Sequence, residues 1–289
     1  MAGLRVVALS GAALYEDDGR RHVDSGVPTS GAFDRYAHAA ATELVGGSST
    51  EACLEVVGAI VLQAAVPMTC AVTGLATLQV SGREGAPWTA LDVAAGSMLE
   101  VRALGRGYLA VAGGFQPRAV LGSRSTCLMG PIGPAPVRTG DLLPLSHVCT
   151  SRTAGDFVRP PSRPAAIRVV PGPHLRLASG RTRVEEVSRI GVRLSGGSLR
   201  DASPARADLP SLGVLPGTVQ VLPSGQWMVL GPDAGTMGGY PVAGVVASAD
   251  LGSLAHANVG DLLRLEAITT DQSPDPPAPE IVHVHGLGG

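Results

Sequence analysis

Four clusters of residues in this chain combine types and spacings that could do chemistry. The first is Ser25-Gly26-Val27-Pro28-Thr29-Ser30-Gly31-Ala32-Phe33-Asp34, with Asp17-Asp18-Gly19-Arg20-Arg21 shortly before it. Glycines let backbone approach a ligand closely, and free N–H groups at a helix start favour an anion. Asp34 is the carboxylate placed for acid/base work, with helix capping as its alternative role. Glu55 lies between Leu54 and Val56 in an apolar run, so it must be exposed, paired or perturbed in its ionisation. The second cluster is Gly113-Gly114-Phe115 followed by Leu121-Gly122-Ser123-Arg124-Ser125-Thr126. Arg124, flanked by Ser123 and Ser125, could hold a carboxylate or phosphate bidentately, or could be a structural arginine in a surface loop. No GxSxG elbow surrounds these serines, so a serine hydrolase has little support.

The third cluster is Ser188-Arg189-Ile190-Gly191-Val192-Arg193-Leu194. Strand alternation would place Arg189 and Arg193 on one face, suited to an anionic substrate or to solvent. The fourth, Gly231-Pro232-Asp233-Ala234-Gly235-Thr236-Met237-Gly238-Gly239-Tyr240-Pro241, resembles a phosphate-cradling loop in composition but has no Walker lysine. Asp233, Thr236 and Tyr240 could position a substrate there, and Gln220 on the run before it is a candidate amide contact. The histidines are dispersed, and the Cys and His spacings do not form a zinc pattern, so no metal site is expected.

Composition narrows the chemistry further. All 22 basic residues are arginine, with no lysine anywhere. That excludes Schiff-base and pyridoxal chemistry, lysine-bearing P-loops, and any biotin or lipoate carried on this chain. The net charge of −2 gives no footprint for nucleic acid or an anionic membrane. No apolar run reaches the ~20 residues that span a bilayer, and the N-terminus lacks a signal-peptide pattern. Cys53, Cys70, Cys127 and Cys149 are expected to be buried and reduced, which suits a cytoplasmic protein.

The elements that must position these clusters are mainly strands. Glycine (39) and proline (23) make up about a fifth of the 289 residues and punctuate short apolar runs better than long helices. Strands are expected at Leu4–Leu9, Leu54–Leu62, Met68–Val72, Ala76–Val80, Met98–Val101, Gly107–Val111, Ile167–Val170, Val192–Leu194, Val219–Leu222 and Trp227–Leu230. One segment has helical period: in Asp34–Val45, Ala37, Ala40, Ala41, Leu44 and Val45 fall on one face, with Ser30 or Asp34 as cap and Gly46-Gly47 as stop. A second short helix is expected at Asp250–Ala257 with Asp250 as N-cap. Gly140-Asp141-Leu142-Leu143 recurs as Gly260-Asp261-Leu262-Leu263, and more loosely as Gly96-Ser97-Met98-Leu99, which two similar β-barrel-like halves would produce, as would chance in a Gly-Leu-rich sequence. The expected organisation is residues 1–150 as one half, 151–165 as a linker, 166–270 as the second half, and 271–289 as a loose Pro-rich tail.

Taken in order, the clusters resemble one family, known as allophanate hydrolase subunit 2, the KipA-like or the carboxyltransferase-domain family. It includes the C subunit of bacterial ATP-dependent 5-oxoprolinase and the carboxyltransferase domain of urea carboxylase. The resemblance rests on Asp17-x-Gly19-Arg20, Gly26-Val27-Pro28-x-Ser30-Gly31-Ala32-x-Asp34, Leu44-Val45-Gly46 and Leu54-Glu55. It continues through Gly113 to Phe115, Leu121 to Thr126, Gly140-Asp141, Ser188 to Gly196, Gly217-x-x-Gln220, Asp233 and Thr236 to Pro241. The sequence departs from the family pattern at Glu16 (Gln in the pattern), Thr42 and Gly47 (Asn), Met237 (Thr) and His256 (Gln).

The resemblance implies a mainly β fold of two cyclophilin-like β-barrels with a few short helices. It implies a cytoplasmic, hetero-oligomeric, ATP-dependent C–N (amide) hydrolase opening 5-oxoproline to glutamate. The implied partners are a subunit-1 protein (KipI-like, similar to the B subunit of 5-oxoprolinase) and a third subunit. ATP would act through the complex. Asp34, Asp233 and Tyr240 would be catalytic, while Arg124, Ser125, Arg189, Gln220 and Thr236 would bind the small amide substrate. Two alternatives stay open: a biotin-dependent carboxyltransferase acting on urea or a related amide, with biotin on another chain, and a non-catalytic regulator that sequesters its KipI-like partner.

Overall fold

A computed structural model describes residues 3–21, 26–146, 153–200 and 209–284. Cys149, His22, His147 and His285 lie outside these described residues. The first half runs β1 (Gly3–Glu16), α1 (Arg35–Leu44), β2 (Cys53–Ala64), β3 (Met68–Val80), β4 (Arg83–Gly85), β5 (Ala90–Val93), β6 (Met98–Val111) and β7 (Leu142–Pro144). β8 (Phe157–Val158) follows. The second half contains β9 (Ile167–Pro171), β10 (Leu177–Ala178), β11 (Gly180–Val187), β12 (Gly191–Ser195), β13 (Ser198–Leu199), β14 (Leu212–Gly213), β15 (Thr218–Val221) and β16 (Trp227–Leu230). It ends with β17 (Met237–Gly238), β18 (Val242–Val246), α2 (Leu251–Leu254) and β19 (Leu262–Ala267), and β20 (Ile281–Val282) comes last.

The mainly β expectation holds, and the two halves differ in closure. In the second half, β11-β12-β16-β15-β18-β9-β19 close a barrel. The first half is a seven-stranded sheet in the order β4-β3-β6-β2-β1-β7, with β5 on β3. Its strands are long because bulges let them bend and continue. Met68–Val72 and Ala76–Val80, expected as separate strands, are one strand through Gly74. Gly74 sits at φ +77°, and a Cβ there would lie 2.4 Å from the Arg106 carbonyl. Only glycine fits such a close approach without strain. β6 likewise joins the two segments expected at Met98–Val101 and Gly107–Val111.

The internal echo corresponds to a repeated turn. Arg138 N–H donates to Asp141 Oδ2 at 2.8 Å, and Asn258 N–H donates to Asp261 Oδ2 at 2.8 Å. Val6 of β1 exchanges backbone bonds with Gly140 and Asp141, as Val184 of β11 does with Gly260 and Asp261. Both valines adjoin a register shift in their strands. Short side chains that bond nearby backbone favour turns of this kind.

Each half has its own core. Leu54, Ile60, Leu62, Val72, Leu99, Val101, Leu109 and Phe115 fill one face of the first sheet, and Val169, Val192, Leu194, Val219, Trp227 and Leu265 fill the barrel. α1 covers the other face of the first sheet, laying Ala37, Ala40, Ala41 and Leu44 on Cys53, Ala71, Tyr108 and Ala110. Burying a leucine such as Leu44 contributes ~2 kcal/mol. Asp34 caps α1 by accepting from Ala37 N–H at 3.0 Å, and Gly46 follows its end at φ +78°. The second expected helix is shorter, one turn after a 3₁₀ segment. Asp250 does not cap it with its side chain; it pairs with Arg168 instead, because that carboxylate receives the Arg168 backbone N–H (2.7 Å) and Nε (2.8 Å).

The last segment, expected as a loose tail, is tied down as far as Val284. β20 pairs with β8, and Asp156 accepts from Val284 N–H (3.0 Å) and contacts His283 Nδ1 at 2.7 Å. Cys53, Cys70 and Cys127 are buried and unbridged. Among the described residues, no helix is long and apolar enough to cross a membrane.

Candidate functional site

The two halves meet on a buried charge network. Arg189, in the turn between β11 and β12, donates from Nε and Nη2 to Asp233 (2.9 and 3.1 Å). Its Nη1 donates to Glu55 Oε1 at 2.8 Å, and Nη2 also donates to the Gly31 carbonyl at 2.7 Å. Arg106 reaches the same Glu55 oxygen at 2.8 Å, and the Tyr108 hydroxyl and Phe33 N–H each donate to Glu55 Oε2 at 3.0 Å. The Arg106 guanidinium stacks over the Phe33 ring at 5.1 Å, while Phe33 itself inserts among the core residues of the barrel. All three guanidinium nitrogens of Arg189 are therefore engaged by protein oxygens. Arg189 and Arg193 do not form the one-faced pair expected from alternation, because β12 begins only at Gly191.

Two carboxyls in this network are pushed in opposite directions. Burial alone would raise Glu55, but Arg189 and Arg106, helped by the Phe33 N–H, hold it down at about 2. Glu16 is raised well above 4.5, first by burial and then by Glu55 and Asp233, against the pull of Arg189. Its Oε1 lies 3.3 Å from Arg189 Nη2 without hydrogen-bond geometry. Glu55 and Asp233 already balance the two guanidiniums, so a third buried negative charge has nothing to pair with.

A second hub holds the loop after Phe115. Asp17 Oδ1 accepts from Gly19 N–H (2.9 Å), Ser123 Oγ (2.7 Å) and Ser125 Oγ (2.6 Å), and Oδ2 accepts from Arg124 N–H (2.6 Å). Ser125 is thus buried against Asp17, while the half-buried Arg124 guanidinium donates to Gln116 Oε1 at 2.8 Å. Asp233 ties the same loop to the barrel by accepting from Leu128 N–H at 3.2 Å.

Asp34 faces elsewhere. It lines a cleft of about 920 Å³ between the halves, together with Tyr36, Trp88, Arg159, Arg163 and Arg264. His256 holds its other side. Arg106 N–H donates to His256 Nδ1 (3.3 Å), so the ring proton sits on Nε2, which donates to Asp34 Oδ2 at 2.8 Å. Gly252 packs closely here, since a Cβ would lie 2.7 Å from Asp34 Oδ1.

Gln220, Thr236 and Tyr240 occupy a third region. Gln220 is buried on β15, with Nε2 against Gly238, where a Cβ would come within 2.2 Å. The Thr236 carbonyl accepts from Val214 N–H at 2.9 Å, and the Tyr240 ring is exposed. The structure therefore brings Asp233 and Arg189 together, ties Arg124 and Ser125 to Asp17, and leaves Asp34 in the cleft. Sequence reasoning missed Arg106, Tyr108 and the His256–Asp34 pair. Arg106 carried a readable signal, a lone charge between glycines in a strand-forming run, of the same kind as Glu55. Among the described residues, no group of three or more His, Cys, Asp or Glu is placed to hold a metal ion.

Residues 25–267 match the model of the carboxyltransferase domain, subdomains A and B. The chain belongs to the carboxyltransferase-domain family. It is similar to the 5-oxoprolinase C subunit of Escherichia coli (strain K12), with 32% identity over 277 residues, covering 89% of this chain and 88% of that protein. It is also similar to the 5-oxoprolinase C subunit of Haemophilus influenzae, with 31% identity over 266 residues, covering 86% and 85%. Among solved structures, TTHA0988 superposes with a TM-score of 0.84 at 33% identity; the match covers 92% of this chain and 55% of TTHA0988, so this chain spans little more than half of it. The K. lactis urea amidolyase shares the fold, with a TM-score of 0.83 at 23% identity over 93% of this chain and 19% of that enzyme.

Proposed function

We propose that this chain is the C subunit of a 5-oxoprolinase that adds water across the ring amide of 5-oxoproline, giving glutamate at the expense of ATP. The supporting observation is its similarity, along nearly their whole length, to two proteins that carry that name. In this reading Arg189, Glu55 and Asp233 do not touch substrate. They are positioning residues that hold the loops after Phe115 and Leu230 in register. Arg124, Thr236 and Tyr240 are the groups on those loops free enough to orient a carboxylate or an amide, and Asp34 supplies a carboxylate in the cleft. In this reading ATP acts through the complex: the chain has no lysine for a Walker-type loop, and the Asp34 carboxylate occupies the start of α1, which would repel a phosphate there.

Co-expression with the partner subunits tests this reading. The expected result is glutamate formation that requires both ATP and 5-oxoproline. A stoichiometric complex with no turnover would overturn it. The family description names carboxyl transfer, which supports one alternative; with no lysine on this chain, any biotin would be carried on another. In that case the same complex would bind biotin and leave 5-oxoproline intact.

A further inference from the structure

The loops carrying the second, third and fourth clusters present a face that a lone protein would not leave in water. Leu128, Met129, Ile190, Leu215, Met237 and Tyr240 are all exposed, with Met237 at 60% and Leu215 at 57%. Hydrogen bonds bring their loops together. Leu128 N–H donates to Asp233, Asp233 N–H donates to the Arg189 carbonyl (3.0 Å), and Gly231 N–H donates to the Ile190 carbonyl (2.8 Å). Val214 N–H donates to the Thr236 carbonyl, and Leu212–Gly213 pairs with Met237–Gly238 in a two-stranded ladder. A two-stranded ladder is marginal in water unless something packs on it. Large apolar side chains left exposed on loops tied to one another in this way suit an interface.

This face carries almost no charge. Across residues 120–133, 188–190, 212–217 and 231–240 the charged residues are Arg124, Arg189 and Asp233, and Arg189 and Asp233 are buried. The one charged group not buried there is the half-buried Arg124, at the edge of an apolar centre. From this we infer that the face formed by the 120–133, 188–190, 212–217 and 231–240 loops docks the partner subunit of the enzyme through an apolar patch of its own. The occupant follows from the subunit reading above, on which this inference rests: both named relatives are one subunit of a larger enzyme, and TTHA0988 carries this fold in little more than half of its chain. Docking there would seat the partner over Arg124, Thr236 and Tyr240, so the substrate groups of this chain would face the subunit interface.

The test uses the full chain co-expressed with its partner subunits. Leu215→Glu and Met237→Glu, singly and together, place negative charge in the apolar centre without touching a core. Leu104→Glu and Val259→Glu serve as controls. Those residues are 71% and 69% exposed but stand close to His256 in the chain or across it, away from these loops. The double variant is expected to weaken the complex by about tenfold or more and the controls by less than about twofold, with unchanged thermal unfolding of the isolated subunit. Hydrogen exchange of the wild-type complex supplies an independent readout, with protection expected in residues 120–133 and 209–240. Normal assembly by the double variant, or protection confined to other segments, would overturn the docking face and leave the enzymatic reading standing. Failure of the wild type to assemble with or activate any partner subunit would overturn both.

Discussion

Arg189 and Ile190 are adjacent in sequence and opposite in fate. The charged side chain is buried among Glu55, Asp233 and Arg106, while the apolar one stands in solvent. The same inversion separates Asp233 from Met237, and Ser125 from Leu128. At the junction of the halves, charge is buried and almost every donor is satisfied; on the loop face, hydrocarbon is exposed and almost no charge faces outward. Burying charge is costly unless it is matched, so such a network fixes geometry more than it adds stability. Exposed hydrocarbon adds nothing to the stability of the isolated chain. The junction is therefore internal architecture, and the face is built for association.

Variants should separate the two regions by size of effect. Arg189→Ala strands Glu55 and Asp233 without their shared cation and is expected to cost about 3–5 kcal/mol in denaturant unfolding. A loss below about 1 kcal/mol would show that the junction is not matched as described. Next comes acid. Glu55 titrates near 2 in the folded chain against an ordinary 4.5, so its ionised form is favoured by folding. Its contribution is complete above pH 4.5 and is lost as pH falls toward 2, amounting to about 3 kcal/mol at most. Glu55→Gln should be weakened already at pH 7 and lose this acid limb in a stability-versus-pH series.

Glu16 behaves in the opposite sense. Its folded pKa is raised, so folding favours the proton, and its stabilisation is full below 4.5 and fades as pH rises above that value. Glu16→Gln keeps the shape without the acidic proton. It should flatten the decline toward neutral pH and equal or exceed the wild type there by about 1 kcal/mol. A variant that is less stable at pH 7 would mean that Glu16 is ionised in the network. The smallest effect is expected at the face, where Met237→Glu should change isolated-chain stability by less than about 0.5 kcal/mol, read as an unchanged unfolding midpoint.

Local features were legible in the sequence, and distant pairings were not. Asp34, the alanine stripe and Gly46 spell out α1 because capping and helical period act within a few residues. The strands were legible as segments, but Gly74 reads as a break until its cross-strand partner shows it to be a bulge. The carboxylate of Glu55 was visibly anomalous in an apolar run. Its partner Arg189 lies 134 residues away, a separation no local rule spans. Leu128, Leu215 and Met237 look like core residues by type, and only the fold shows them left outside. Asp34 as a cap was legible; its bond to His256, 222 residues on, was not.

The matched turns at Asp141 and Asp261 have a mechanical consequence. Each carboxylate bonds the backbone three residues back, and each turn docks beside a bulge in its own half. The same short device therefore pins the bend of one long strand in the open sheet and of one in the closed barrel. Each half sets its own curvature locally, and the ion pairs of the junction are left to set only how the halves meet.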